Sequence, residues 1–138
     1  MTAMRHRIAS LLLATAITLL AACFAHAQTP SGLWQGIALD VRANAPPETY
    51  PVRIRVEGEE VRVDYPTLAC GGRLDRLRVV GDFVEYRERL TYGLDKCIDG
   101  GRVALRPQGG RLLWYWTGEE TSEPDVAASA VLVRVPTN

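Results

Sequence analysis

VRIRVEGEEVRVDY, residues Val52 to Tyr65, decides how this chain folds. Val52, Ile54 and Val56 fall on one side of an extended backbone and Arg53 and Arg55 on the other, because successive side chains of a strand point to opposite faces. After Gly58 the alternation resumes, with Val61, Val63 and Tyr65 apolar and Arg62 and Asp64 polar. Two period-two runs separated by a glycine turn make a β-hairpin with one face buried.

The same grammar repeats in both directions. Gly81-Asp82 separates Leu77–Val80 from Phe83–Leu90, and Gly109-Gly110 separates Val103–Arg106 from Leu112–Trp116, giving two further hairpins. Leu33–Val41 at the front and Ala128–Val135 at the end bring the count to about eight strands. The expectation is an all-β chain, a single antiparallel meander closing into a small lipocalin-like barrel or sandwich. The longest loops are expected at Ala43–Thr49 and Gly118–Asp125, which are rich in Pro, Gly and acids. No repeat or linker divides the domain.

The N-terminal segment reads as an export leader: Arg5 and Arg7, an apolar run from Ile8 to Leu20, then small residues. It carries two cleavage readings. Ala25-His26-Ala27 suits ordinary signal peptidase and gives a leader of residues 1–27 and a domain of residues 28–138. Leu20-Ala21-Ala22-Cys23 resembles the lipobox of bacterial lipoproteins, which would end the leader at residue 22 and place a lipid on Cys23. The length of the apolar run favours the lipoprotein slightly, so an outer-membrane lipoprotein stands just ahead of a soluble periplasmic or secreted form. Past the leader only Cys70 and Cys97 remain, and two thiols in an oxidising compartment have one possible pairing. A Cys70–Cys97 disulfide is therefore expected.

The chain's 16 Lys and Arg match its 16 Asp and Glu, and two of the basic residues lie in the leader. Basic side chains alternate with acidic ones, as in Arg53, Arg55, Glu57 and Arg87, Glu88, Arg89, instead of clustering as a phosphate-binding face requires. Nucleic acid is not an expected partner, and membrane contact is expected only through a lipid on Cys23.

The strand pattern also carries a resemblance. Tyr65-Pro66-Thr67-Leu68-Ala69-Cys70-Gly71-Gly72-Arg73-Leu74, then Arg87-Glu88, Tyr92-Gly93, Cys97-Ile98-Asp99-Gly100-Gly101 and Leu113-Trp114-Tyr115-Trp116, resembles a family of small exported bacterial β-domains. Some members stand alone and others are modules outside bacterial serine/threonine kinases. The resemblance covers roughly Tyr50 to Arg134 and implies an extracytoplasmic β-domain without naming an activity. The chain departs from the pattern at Thr67 and Ala69, where relatives carry Ser and Gly, so the turn before Cys70 is the element the resemblance does not fix. Gly32-Leu33-Trp34 also resembles the Gly-x-Trp that opens lipocalin barrels, which implies that a late Arg, here Arg134, packs on the Trp.

The chemistry available to the domain is narrow. The two histidines are His6 and His26, in or beside the leader; the domain has no His for a Ser-His-Asp or Cys-His arrangement or a His-rich metal site. Lys96 is the sole lysine. No metal site, cofactor or catalytic residue is expected. Glu85 and Glu88 face opposite sides of a strand and make a poor acid pair. Asp95 and Asp99 flank Cys97 and either bind a cation or shape a turn, with Asp99-Gly100-Gly101 reading as turn chemistry. Glu119, Glu120, Glu123 and Asp125 form an acidic loop. Glu88 is the sharpest feature: it shares a face with Val84, Tyr86 and Leu90, so an inward-facing set carries its carboxyl into the core, where it needs a partner such as an Arg. Trp114 and Trp116 share a face, and with Trp34, Tyr86 and Glu88 they are candidate ligand-binding residues; the same aromatics equally fill a small core.

These features together suggest a non-catalytic, extracytoplasmic β-domain of the bacterial cell envelope that binds a small ligand or an envelope protein. One alternative is a proteinaceous inhibitor of an extracellular enzyme such as a lysozyme or protease, using the Gly93–Asp99 loop. A second is a carboxylate-dependent hydrolase, which requires two acids to converge in a cleft.

Overall fold

A computed structural model describes residues 27–138; the leader up to His26, including Leu20-Ala21-Ala22-Cys23, lies outside the described residues. Eight strands follow one another as β1 (Gly32–Arg42), β2 (Ala45–Glu57), β3 (Glu60–Tyr65), β4 (Cys70–Val80), β5 (Phe83–Tyr92), β6 (Arg102–Gln108), β7 (Arg111–Thr117) and β8 (Ala127–Arg134). Each pairs antiparallel with the next, and β1 pairs with β8, so the meander closes into a barrel. Closure removes the open edges of the sheet, except where β2 runs past the end of β3. Of the two architectures expected, the barrel is the one formed.

The three glycine turns sit where the alternation ends. Glu57 opposes Glu60, Val80 opposes Phe83, and Gln108 opposes Arg111, which leaves two residues in each turn. Gly109 and Gly110, at φ 56° and 75°, supply the left-handed backbone that such a turn requires. All three turns lie at one end of the barrel. The other end carries the β1–β2, β3–β4, β5–β6 and β7–β8 connections, of which residues 93–101 and 118–126 are the longest.

One loop expectation is corrected. Residues 45–49 are strand, and only Ala43 and Asn44 join β1 to β2. Pro46 and Pro47 are tolerated because the β1–β2 register shifts beside them, and because β2 extends past β3, whose pairing with it begins at Arg53. A residue without an N–H fits a strand at a bulge or where one side lacks a partner.

Inward positions fill the interior: Trp34, Ile54, Val63, Leu105, Leu112, Trp114 and Leu132 are fully or almost fully buried. Cys70 and Cys97 are joined, with their Cα atoms 6.3 Å apart. The bond ties the start of β4 to the long β5–β6 loop, and closing a loop of this length contributes about 3.5 kcal/mol in the chain-entropy model.

Candidate functional site

The two barrel ends differ in how they are finished. At the end with the tight turns, Trp34 is buried and donates its indole N–H to the Pro30 carbonyl at 3.0 Å. The guanidinium carbon of Arg134 lies 4.5 Å from the Trp34 ring centroid, and Arg134 also donates to the Ser31 carbonyl. Gly32 leaves room for this, since a β-carbon there would meet the Arg134 guanidinium at 2.5 Å. Residues 27–31 run across the same end: Thr29 and Tyr86 exchange a hydroxyl hydrogen bond at 2.8 Å, and Arg76 donates to the Ala27 carbonyl at 3.1 Å. Trp34 and Tyr86 are thus structural at a capped end, as the Gly-x-Trp resemblance implies for Trp34, and neither lines a cavity.

The opposite end holds a cavity of about 660 Å³, within the usual range for small-molecule sites. Every connection at that end except the β1–β2 turn contributes a wall. Leu68 comes from the β3–β4 turn, residues 94–99 from the stapled β5–β6 loop, and Ser122, Glu123 and Val126 from the β7–β8 loop. Asp40, Arg42, Glu48 and Tyr50 enter from strands β1 and β2, and Tyr65, Glu88 and Trp116 from β3, β5 and β7. Trp114, one position deeper than Trp116 on the same face, is fully buried and packs edge-on against Tyr65, with ring centroids 6.2 Å apart. Of the five expected ligand-binding residues, only Glu88 and Trp116 reach the cavity.

Glu88 is 1% exposed. Its side chain points inward, as the face shared with Val84, Tyr86 and Leu90 requires, while Glu85 pairs with Arg78 on the other side of the strand at 2.7 Å. The expected Arg partner is replaced by two neutral donors. The Tyr65 hydroxyl donates to Oε2 at 2.5 Å and the Trp116 indole N–H to Oε1 at 3.1 Å. Burial dominates the balance and pushes the Glu88 carboxyl up to about 7, with the Asp99 carboxylate adding to the rise and the two hydrogen bonds opposing it. Desolvation and the neighbouring Glu88 likewise hold the Tyr65 hydroxyl well above its ordinary range. Gly101 allows Trp116 its position, since a β-carbon there would meet the indole at 2.2 Å.

Around the rim, Asp40 is nearly buried and receives Arg42 Nε at 3.3 Å, while Arg42 Nη1 meets Glu123 at 3.4 Å. Asp99 Oδ1 accepts the Leu90 backbone N–H at 2.8 Å, which ties the β5–β6 loop back to β5. Glu120, in the acidic loop, pairs with Arg87 and Arg102. Among the described residues no group of three or more His, Cys, Asp or Glu is arranged to hold a metal ion. Sequence reasoning missed Asp40, Arg42 and Tyr50. Asp40 alone left a usable signal, because it occupies an inward position of β1 two residues after the buried Ala38.

No protein-family model, curated protein or solved structure matches the chain.

Proposed function

We propose that this barrel is a non-catalytic binding domain that works outside the cytoplasm and takes a small ligand into its open end. The observation that carries the reading is the cavity of about 660 Å³ on a barrel whose other end is capped by Trp34 and Arg134. A rigid frame with one accessible end and a few polar groups converging at its floor is the form of a small-molecule receptor. The disulfide supports an oxidising compartment. A hydrolase would draw on Glu88 and Asp99, which line the same cavity; the binding reading is favoured because Asp99 Oδ1 is already committed to the Leu90 N–H.

The test is native mass spectrometry of the protein isolated from its own envelope, beside an Ile98→Trp variant that fills the cavity. A small-molecule adduct on the natural chain that is absent from the variant supports the reading. A bare natural chain, or an adduct retained by the variant, overturns it.

One observation favours a second reading. Leu94 is 59% exposed on a loop braced by Cys97 and by turn hydrogen bonds from the N–H groups of Lys96 and Cys97 to the Gly93 carbonyl. A rigid loop with an apolar tip suits insertion into the cleft of an extracellular enzyme, the inhibitor alternative. Loss of lysozyme or protease inhibition in Leu94→Asp, with the cavity variant still inhibiting, would select it.

A further inference from the structure

We infer that the open-end cavity is built for a small organic cation, an ammonium carried on an apolar or aromatic body; this rests on the ligand-binding reading above and names its ligand class. Three observations converge on it. The first is charge. Asp40, Glu48, Glu88, Asp95, Asp99 and Glu123 line the cavity against two cations, Arg42 and Lys96. Arg42 is already engaged by Asp40 and Glu123. A recess lined by one sign of charge attracts the other.

The second is the floor. Glu88 is buried with no cationic partner among the described residues, and its two donors are neutral. A carboxylate has about four acceptor sites, and only two are used here. A buried carboxyl without a counter-ion is costly when charged, so an ammonium reaching it gains a charge-assisted hydrogen bond and removes that cost. The third is the wall. Tyr50, Tyr65 and Trp116 stand around the same space, and Tyr50 and Tyr65 pack edge to face with centroids 5.8 Å apart. Aromatic faces attract cations and accept the apolar body of an organic amine, which a bare metal ion lacks. An anionic ligand would meet six carboxyls and find one lysine outside an existing ion pair.

Three probes of the same shape test the charge class: benzylammonium, benzyl alcohol and benzoate, titrated into the full domain at pH 7.5 by calorimetry and by Trp fluorescence. The expected result is binding of benzylammonium, with benzyl alcohol much weaker and no benzoate binding. Glu88→Gln keeps the shape and removes the charge, its amide oxygen accepting the Trp116 N–H and its NH2 donating to the Tyr65 hydroxyl, and should weaken benzylammonium by about thirtyfold. Glu48→Gln, at the exposed rim, should weaken it only a few-fold and guards against a folding effect at the buried site. If benzyl alcohol or benzoate binds as well as benzylammonium and Ile98→Trp abolishes that binding, the cavity is a site but its charge class is wrong. If no probe binds the natural chain, or Glu88→Gln leaves benzylammonium unchanged, the inference is overturned.

Discussion

The capped end and the open end of this barrel are built from the same inward-pointing positions, yet one is filled and the other is hollow. At the capped end the polar groups that enter the interior are used up locally. The Trp34 N–H goes to Pro30, the Tyr86 hydroxyl to Thr29, and the Arg134 cation lies over an aromatic face. At the open end polar groups line a cavity, and the most buried of them, Glu88, is an acid held by two neutral donors without a counter-charge. Connection length follows the same division. Two-residue turns close one end tightly, while the connections at residues 93–101 and 118–126 leave room at the other. A barrel of this size separates stability from binding by placing them at opposite ends of one interior.

The sharpest way to break that division is at the cap. Trp34→Ala removes a large buried side chain, its hydrogen bond to Pro30 and the surface on which Arg134 rests. The expected loss is about 4 kcal/mol, the range for buried aromatic-to-alanine changes. Chemical denaturation should show a lowered midpoint with an unchanged slope. If the ends are independent, a benzylammonium affinity measured well below the transition should stay within about twofold. A collapse of binding in a still-folded Trp34→Ala protein would show that the cap organises the cavity.

The open end has an opposite signature, in which a native group costs stability. Folding raises the Glu88 carboxyl from 4.5 to about 7, so between those values the folded chain holds a proton that the unfolded chain has released. Stability from this group is therefore greatest below pH 4.5, falls as pH rises and levels off above about 7, a total of about 3 kcal/mol. Other carboxylates have slopes of their own. The comparison that isolates Glu88 is natural chain against Glu88→Gln. The Gln variant should gain on the natural chain by about 3 kcal/mol between pH 4.5 and 7.5, read from denaturation midpoints at each pH. A difference that does not change with pH would mean the carboxyl is solvated and the floor of the cavity is open to water.

How much of this was legible in the sequence divides along the same line. Strand alternation, the glycine turns and the pairing of Cys70 with Cys97 depend on neighbours in the chain or on counting, and all three hold in the structure. The inward direction of Glu88 follows from the same alternation. Its partners do not, because Tyr65 and Trp116 reach it across the barrel interior from β3 and β7. Nothing in a linear pattern sets which inward residues meet once the sheet closes. The strand through Pro46 and Pro47 was hidden for a related reason. Two prolines mark a loop by composition, and only the register shift and the missing partner on one side of β2 make a strand possible there. Trp34 and Tyr86 were grouped with the ligand-binding aromatics because burial and pocket lining draw on the same residue types; position along the barrel axis separates them.

The smallest expected effect lies at the lip of the cavity, in the turn between Tyr65 and Cys70. Ala69 has φ 53° and is the non-glycine residue with positive φ among the described residues. The turn is held by the Leu68 N–H on the Tyr65 carbonyl at 3.1 Å and the Ala69 N–H on the Pro66 carbonyl at 3.4 Å. A β-carbon in the left-handed region crowds the following carbonyl, at a cost of about 1 kcal/mol that glycine escapes. Glycine is more disordered in the unfolded chain, which offsets part of that gain. Ala69→Gly should therefore stabilise the domain by roughly 0.5 kcal/mol. The same substitution leaves Leu68, Tyr65 and Glu88 in place, so ammonium binding should not move. Paired denaturation and titration of this one variant thus test whether relief of backbone strain at the lip is felt only in stability. A gain in stability accompanied by lost binding would mean that the strained turn itself holds the cavity open.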